Sequence, residues 1–272
     1  MTSQAEKGKL LRALHERSGA FIIPNPWDAG TARLLAHLGF EALATTSMGY
    51  AFSLGQCDGT LNRSQTLAGA SAIASATDLP VSADLENGFG DAPEACAETI
   101  RLAAAAGVVG GSIEDASGRP DRPIYDFQHA VERVRAAVVA ARALPFTFTL
   151  TARAENYLHE RPDLEDTIRR LQAFQQAGAD VLYAPGLTTK DDIGAVVRSV
   201  DRPVNVLIGL QGMKFSLAEL SALGVKRVSV GSTLTRAALG GFLRGAREMR
   251  EHGTFDFATQ AASSREISAV FQ

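Results

Sequence analysis

Eight short apolar, β-branched runs recur along the 272 residues, and each is followed by a longer stretch with helical periodicity. They are AFIIP (20–24), EALATTS (41–47), LPVSAD (79–84), VVGGSIED (108–115), FTFTLTAR (146–153), DVLYAPG (180–186), PVNVLI (203–208) and KRVSVG (226–231). Eight strand–helix units is the number that closes a (β/α)8 barrel. The phrases leading into four of the runs, HLGFEAL, AAGVVGG, QAGADVL and ALGVKRV, all end a helix at glycine before the chain re-enters the sheet. No linker, low-complexity tract or charge block divides the chain, so the expectation is one α/β domain over residues 1–272, a TIM-type barrel. A helical extension over about 234–272 would comprise an amphipathic helix in LTRAALGGFLRGAREMREHG and a further helix in FATQAASSREISAVF. Helices beyond a closed barrel need a surface to cover, and a contact between subunits supplies one.

Composition narrows the class of partner. The chain is 46% hydrophobic and 21% charged with a formal net charge of -3 and a pI near 6.0, so no basic face recommends nucleic acid or an anionic membrane. Small molecules are the better match. Cys57 and Cys96 are too few for a disulfide framework and lack metal-ligand spacing. The first residues, MTSQAEKGKLLRALHERSG, carry charge throughout and lack the apolar core of a signal peptide. A cytoplasmic location is expected.

In barrels of this class the active site lies at the C-terminal ends of the strands, which shortens the roster of candidates. Acids dominate it: Asp84 and Glu86 after the third strand, Glu114 and Asp115 after the fourth, and Arg153 with Glu155 after the fifth. If strand geometry persisted to Glu86, its side chain and that of Asp84 would share one face with Cα atoms roughly 7 Å apart. Two ionised carboxylates at that distance repel by roughly 2 kcal/mol at an effective dielectric of about 20. A cation would offset this. Carboxylates without a His or Cys cluster favour Mg²⁺, with Mn²⁺ as the alternative, and Asp84 is the expected direct ligand with Glu86 and Glu114 holding the ion's waters. A salt bridge to Arg153 is a second expectation for Glu114, compatible with the first. Other polar residues belong to helix starts: Asp28 as a cap, DAPE (91–94) as a capping box led by Asp91, and TKDD (189–192) and SLAE (216–219) in the same way.

The ordered set NPWDAG, ATTSMGYAFSLGQCDG, SADLENGFG, SIEDA, TARAENYL and PVNVLI resembles the isocitrate lyase and phosphoenolpyruvate mutase superfamily across most of the chain. The resemblance implies an α/β barrel that binds Mg²⁺ and a 2-oxo or 2-hydroxy carboxylate and passes through an enolate-type intermediate. It implies dimers or dimers of dimers with the eighth helix exchanged between neighbours. By motif, SADLENGFG corresponds to the acidic metal loop, with Glu86 in place of a second aspartate, and Glu114 corresponds to the acid that holds metal waters. Asp58 of GQCDG matches an acid near the substrate. The loop of Thr46, Ser47, Met48 and Gly49 matches the one that receives its carboxylate. Arg153 matches the arginine that contacts substrate, Asn205 an amide serving a second carboxylate, and Tyr50 is a candidate proton donor.

Departures from the family pattern are equally informative. Where isocitrate-cleaving members carry Lys-Lys-Cys-Gly-His after the fourth strand, this chain has ASGRPDRPIYD (116–126), with no lysine, cysteine or histidine. The Lys and Asn of the mutases and phosphonopyruvate hydrolases are absent too. Gly118, Arg119 and Arg122 there suggest an anion-seeking lid. The function expected is a Mg²⁺-dependent C–C bond lyase, retro-aldol or decarboxylating, on a small 2-oxo or 2-hydroxy di- or tricarboxylic acid. The alternatives are phosphorus–carbon mutase or hydrolase chemistry, and a carboxylate-binding barrel without catalysis.

Overall fold

The computed structural model describes residues 2–272. All eight runs are strands: β1 (Phe21–Ile23), β2 (Leu43–Ala44), β3 (Val81–Asp84), β4 (Gly110–Glu114), β5 (Thr149–Arg153), β6 (Val181–Tyr183), β7 (Val204–Leu207) and β8 (Arg227–Ser229). Each pairs in parallel with its neighbour, and β8 returns to β1 with Phe21 opposite Arg227. Between β1 and β2 the seam is carried by single bonds: Ala44 N–H donates to the Pro24 carbonyl at 3.0 Å and Asn25 Nδ2 to the Thr45 carbonyl at 2.9 Å. The result is a nearly closed TIM-type barrel.

Eleven helices accompany the strands among the described residues. Nine precede β8 in the chain: α1 (Gln4–Glu16), α2 (Ala29–His37), α3 (Ser47–Ser53), α4 (Arg63–Ser75), α5 (Pro93–Ala105), α6 (Phe127–Arg142), α7 (Leu164–Ala177), α8 (Lys190–Arg198) and α9 (Leu217–Ala222). Two more follow β8, α10 (Thr233–His252) and α11 (Ser264–Phe271). The caps at Asp28, Thr189 and Ser216 are as expected. The one at Asp91 is not: α5 begins after Ala92 with no side-chain cap, because the Asp91 carboxylate takes the Tyr125 hydroxyl at 2.6 Å and the Arg119 guanidinium instead. Pro93 in the first turn has no N–H to satisfy. The segment 257–271 is likewise not one helix but a 3₁₀ turn at Asp256–Gln260 followed by α11. No helix among the described residues is long and apolar enough to cross a membrane.

The N-terminal mouth of the barrel is stopped by α1. Leu11 and Leu14 are buried in a small cluster with Phe21, Ile23, Ala42 and Val109. A Cβ on Gly110 would stand 2.9 Å from both Leu11 Cδ2 and the Thr149 carbonyl oxygen, so glycine there is what lets α1 reach the strand ends. His15, also on α1, is 5% exposed; its Nδ1 lies 2.8 Å from the Leu11 carbonyl and its ring meets Phe21 edge to face. Burial, with Arg227 nearby, pushes its pKa down to about 3. The unfolded chain therefore binds a proton here below pH 6.5 that the folded chain refuses until about pH 3, and stability falls as pH drops through that window. In urea unfolding, His15→Gln is expected to lose less stability than wild type between pH 7.5 and 5, by about 2 kcal/mol.

Candidate active site

The strands that end in acids deliver them around one guanidinium. Arg153, the last residue of β5, gives Nη1 to Asp84 Oδ1 at 2.9 Å, Nη2 to Glu114 Oε2 at 3.1 Å and Nε to Glu155 Oε1 at 2.8 Å. Its Cζ lies 5.1 Å from the Tyr183 ring centroid. The parallel register explains the convergence, since Glu114 stands opposite Arg153 and Arg153 opposite Tyr183, and Asp84 ends the strand next to β4. Each of its three nitrogens donates to a different acid, so the fixed geometry of guanidinium ties the ends of β3 and β4 to the loop after β5. Three close anions raise the Arg153 pKa further despite its burial. Burial pushes the Glu114 carboxyl up against the pull of Arg153.

The cavity beside this cluster has a volume of about 350 Å³ and opens at the C-terminal ends of the strands. Among the expected site residues, Thr46, Ser47, Met48, Asp58, Asp84, Arg153 and Asn205 line it. Ser47 donates its backbone N–H and its hydroxyl to Asp84 Oδ2 at 3.2 and 2.8 Å. Two expectations are corrected. Gly49 is the third residue of α3, its N–H held by the capping Thr46 Oγ1 at 3.2 Å, and a Cβ there would meet Thr235 Oγ1 at 2.5 Å, so it is a packing glycine and no carboxylate receptor. Tyr50 lies outside the cavity, its ring carbons 2.7–2.9 Å from where a Cβ on Gly69 would sit. That placement against α4 removes it as a proton donor to the cavity.

The metal set also needs correction. β3 ends at Asp84 and Glu86 adopts a left-handed φ of 47°, so the two carboxylates do not share a strand face. Glu114 is held by Arg153. Among the described residues no three His, Cys, Asp or Glu side chains are grouped to hold an ion on protein ligands alone. Mg²⁺ does not require that, because it takes one or two carboxylates and keeps water elsewhere. Asp84 and Glu86 fit such a site. Glu86 Oε1 is buried with no hydrogen-bond partner, and burial, with Asp84 and Asp58 nearby, pushes its pKa up to about 7. A divalent cation would satisfy that oxygen and offset the surplus of acids.

The 116–126 segment is not aimed at the cavity. It folds back on itself through an antiparallel bridge between Ala116 and Ile124; Arg119 pairs with Asp91 and Arg122 with Asp126. Asp115 faces away from the cluster, 2% exposed, bound by Arg170 Nη1 at 2.9 Å and the Glu155 N–H at 2.8 Å. One cavity residue was missed as a site candidate: Arg227 opens β8 with its side chain inside the barrel, where the basic pair KR gave no sign of which residue turns inward. Tyr183, whose place at the end of the sixth strand left open whether it faces the barrel or packs in the core, lines the cavity. Arg153→Met is expected to leave Asp84, Glu114 and Glu155 facing one another and to lower stability by about 3–5 kcal/mol. The deficit should grow from pH 5 to pH 8 in urea unfolding, since buried acids with raised pKa values stabilise the fold only while protonated.

Comparison with known proteins places this geometry in a lineage. The family model of phosphoenolpyruvate phosphomutase matches residues 11–250. The 2-methylisocitrate lyase of Shewanella oneidensis is 32% identical over 211 residues, 74% of this chain and 70% of that one. A crystal structure from Burkholderia cenocepacia, described as a candidate lyase/mutase, is 66% identical and superimposes with a TM-score of 0.97, covering 98% of this chain and 96% of its own. Phosphonopyruvate hydrolase in complex with oxalate and Mg²⁺ shares the fold, with a TM-score of 0.87 at 24% identity, covering 100% of this chain and 95% of that one. The chain belongs to the phosphoenolpyruvate phosphomutase family, and its relatives include 2-methylisocitrate lyases.

Proposed function

We propose that this chain is a Mg²⁺-dependent lyase that breaks a C–C bond in a small 2-oxo or 2-hydroxy di- or tricarboxylic acid. The observation that carries the reading is the position of Asp84, tied to Arg153 and Ser47, in the lining of a cavity sized for a small acid. Asp84 would hold the ion directly, with Glu86 in support. Bound there, the cation would act as a Lewis acid toward the oxygen on which negative charge develops as the bond breaks. Arg153 fixes the direction of the Asp84 carboxylate, and Glu114 and Glu155 fix Arg153, so the acid is preorganised before substrate arrives. Ser47 holds the other Asp84 oxygen. Asp58, exposed at the cavity rim, is the carboxylate of the set that can exchange a proton with water. The Ile23, Ala44 and Leu207 side chains exclude water around the reacting carbons.

The superfamily also breaks P–C bonds, and the fold neighbour bound to oxalate and Mg²⁺ is a phosphonopyruvate hydrolase. The 116–126 segment, with both arginines paired to local acids, offers a phosphonate no free cation, which favours the C–C reading. Assembly into homo-oligomers belongs to the same reading, since Leu239, Phe242 and Leu243 on α10 are exposed in the single chain. With Mg²⁺ present, oxaloacetate, 2-methylisocitrate, 2,3-dimethylmalate and phosphonopyruvate should be assayed side by side. Turnover of one of the first three, abolished by chelator and lowered at least about 100-fold in Asp84→Asn, is the expected result. Cleavage of phosphonopyruvate alone would assign the P–C chemistry, and full activity in the variant would reject the role of Asp84.

A further inference from the structure

Arg227 is a buried cation without an anion. It is 5% exposed and lines the cavity beside Tyr183, Asn205 and Ser229. Among the described residues no carboxylate lies within ion-pair distance of it, whereas Arg153 and Arg170 are paired with acids. The buried Arg133 is held by the backbone carbonyls of Asn87, Gly90 and Asp91. Arg227 spends only Nε, on Asn205 Oδ1 at 2.8 Å, and its Nη1 is buried with no partner. An unpaired guanidinium inside a barrel costs stability that an apolar side chain of similar length would not.

What Arg227 does to Asn205 is fixed by its chemistry. Guanidinium has no acceptor, so the amide oxygen of Asn205 must face it and the NH₂ must face the other way. One of those two hydrogens goes to Ser229 Oγ at 3.0 Å, leaving the second unclaimed. This part of the cavity therefore presents donors and positive charge, while the part around Asp84 presents acids. Arg153, the other guanidinium in the lining with its side chain out of water, already has its charge met by three acids, one on each nitrogen. Arg236 is at the exposed rim, where water solvates it.

We infer that Arg227 is a specificity-determining residue which, with Asn205 and Ser229, receives the second carboxylate of the substrate and so selects dicarboxylates over monocarboxylates of the same length. The inference rests on the proposed function, in that the first carboxylate and the 2-oxygen are taken at the Asp84 end. Arg227 acts twice, as a charge facing the distal carboxylate and as the group that turns the Asn205 N–H toward it.

The test is calorimetric binding in Mg²⁺ of three probes to wild type, Arg227→Met and Arg227→Lys, with Tm measured for each. Oxalate reads the Asp84 end alone. Malate carries a distal carboxylate, and 2-hydroxybutyrate has a methyl group in its place. Wild type is expected to bind malate at least about tenfold more tightly than 2-hydroxybutyrate. Arg227→Met should erase that preference, hold oxalate affinity within about twofold and show no fall in Tm, as befits removal of a buried unpaired charge. Arg227→Lys should restore part of the preference. An undiminished malate preference in Arg227→Met overturns the inference, as does a parallel loss of Tm and of oxalate binding, which would mark a structural role. So does a wild type that does not distinguish malate from 2-hydroxybutyrate. Should Arg227→Met not fold, Asn205→Asp supplies the second arm: an internal carboxylate beside Arg227 should raise Tm and abolish the malate preference, and an unchanged Tm with the preference intact overturns the inference. Failure of oxalate to bind wild type rejects the proposed function itself, and the inference with it.

Discussion

The ion pairs of Arg153 with Asp84, Glu114 and Glu155 set the terms for the rest of the molecule's upper half. Four charged groups out of bulk water are tolerable only when each has a partner in good geometry, and a planar three-sided donor is one of the few groups that can serve three carboxylates together. The barrel makes this possible through register. Parallel strands in consecutive order bring Asp84, Glu114, Arg153 and Tyr183 to the same rim, and no loop has to fold precisely for them to meet. The apparent conflict of acids at neighbouring strand ends is thus settled by the guanidinium for Asp84 and Glu114, while Glu86, turned aside by its left-handed backbone, keeps one buried oxygen without a protein partner.

A second tier of contacts keeps that rim in place. Asp115, next to Glu114 in sequence, turns outward to Arg170 of α7 and to the Glu155 N–H, so β4 and β5 are tied from behind as well as in front. The loop after β3, which carries Glu86 and Phe89 at positive φ, is gripped through its carbonyls by Arg133 of α6. The ring of Tyr125 lies 4.2 Å from that guanidinium, and its hydroxyl reaches Asp91 at the end of the same loop. Backbone in the left-handed region costs about 1 kcal/mol or more for residues other than glycine, and a clamp of this kind is what makes it sustainable.

Much of this was legible in the sequence, for a physical reason. Strand–helix alternation is a repeated, redundant signal, and eight β-branched runs each had to be buried on both faces, so all eight emerged as strands. Strand ends in such a barrel share a rim, which is why Asp84, Glu114, Arg153 and Asn205 could be gathered from positions far apart in the chain. Direction is what the residues concealed. Tyr50 and Gly49 sit in a segment whose motif suggests a loop, yet Thr46 caps a short helix there and turns Tyr50 onto Gly69. Glu86 lies two residues past Asp84, and only the left-handed turn between them decides that they part company. Arg227 and Lys226 are adjacent basic residues; strand pleating sends one into the barrel, while the other donates to the Arg17 carbonyl outside.

The stopper formed by α1 has a bearing on kinetics. Leu11 and its neighbours close one end of the barrel, so whatever enters from the strand C-termini must leave by the same door. When a molecule is cut in two within a vessel of that shape, the fragment nearer the opening departs first and the deeper one waits behind it. Order of release is then dictated by architecture, and the inner fragment, re-entering an empty barrel, competes with fresh substrate for the same space.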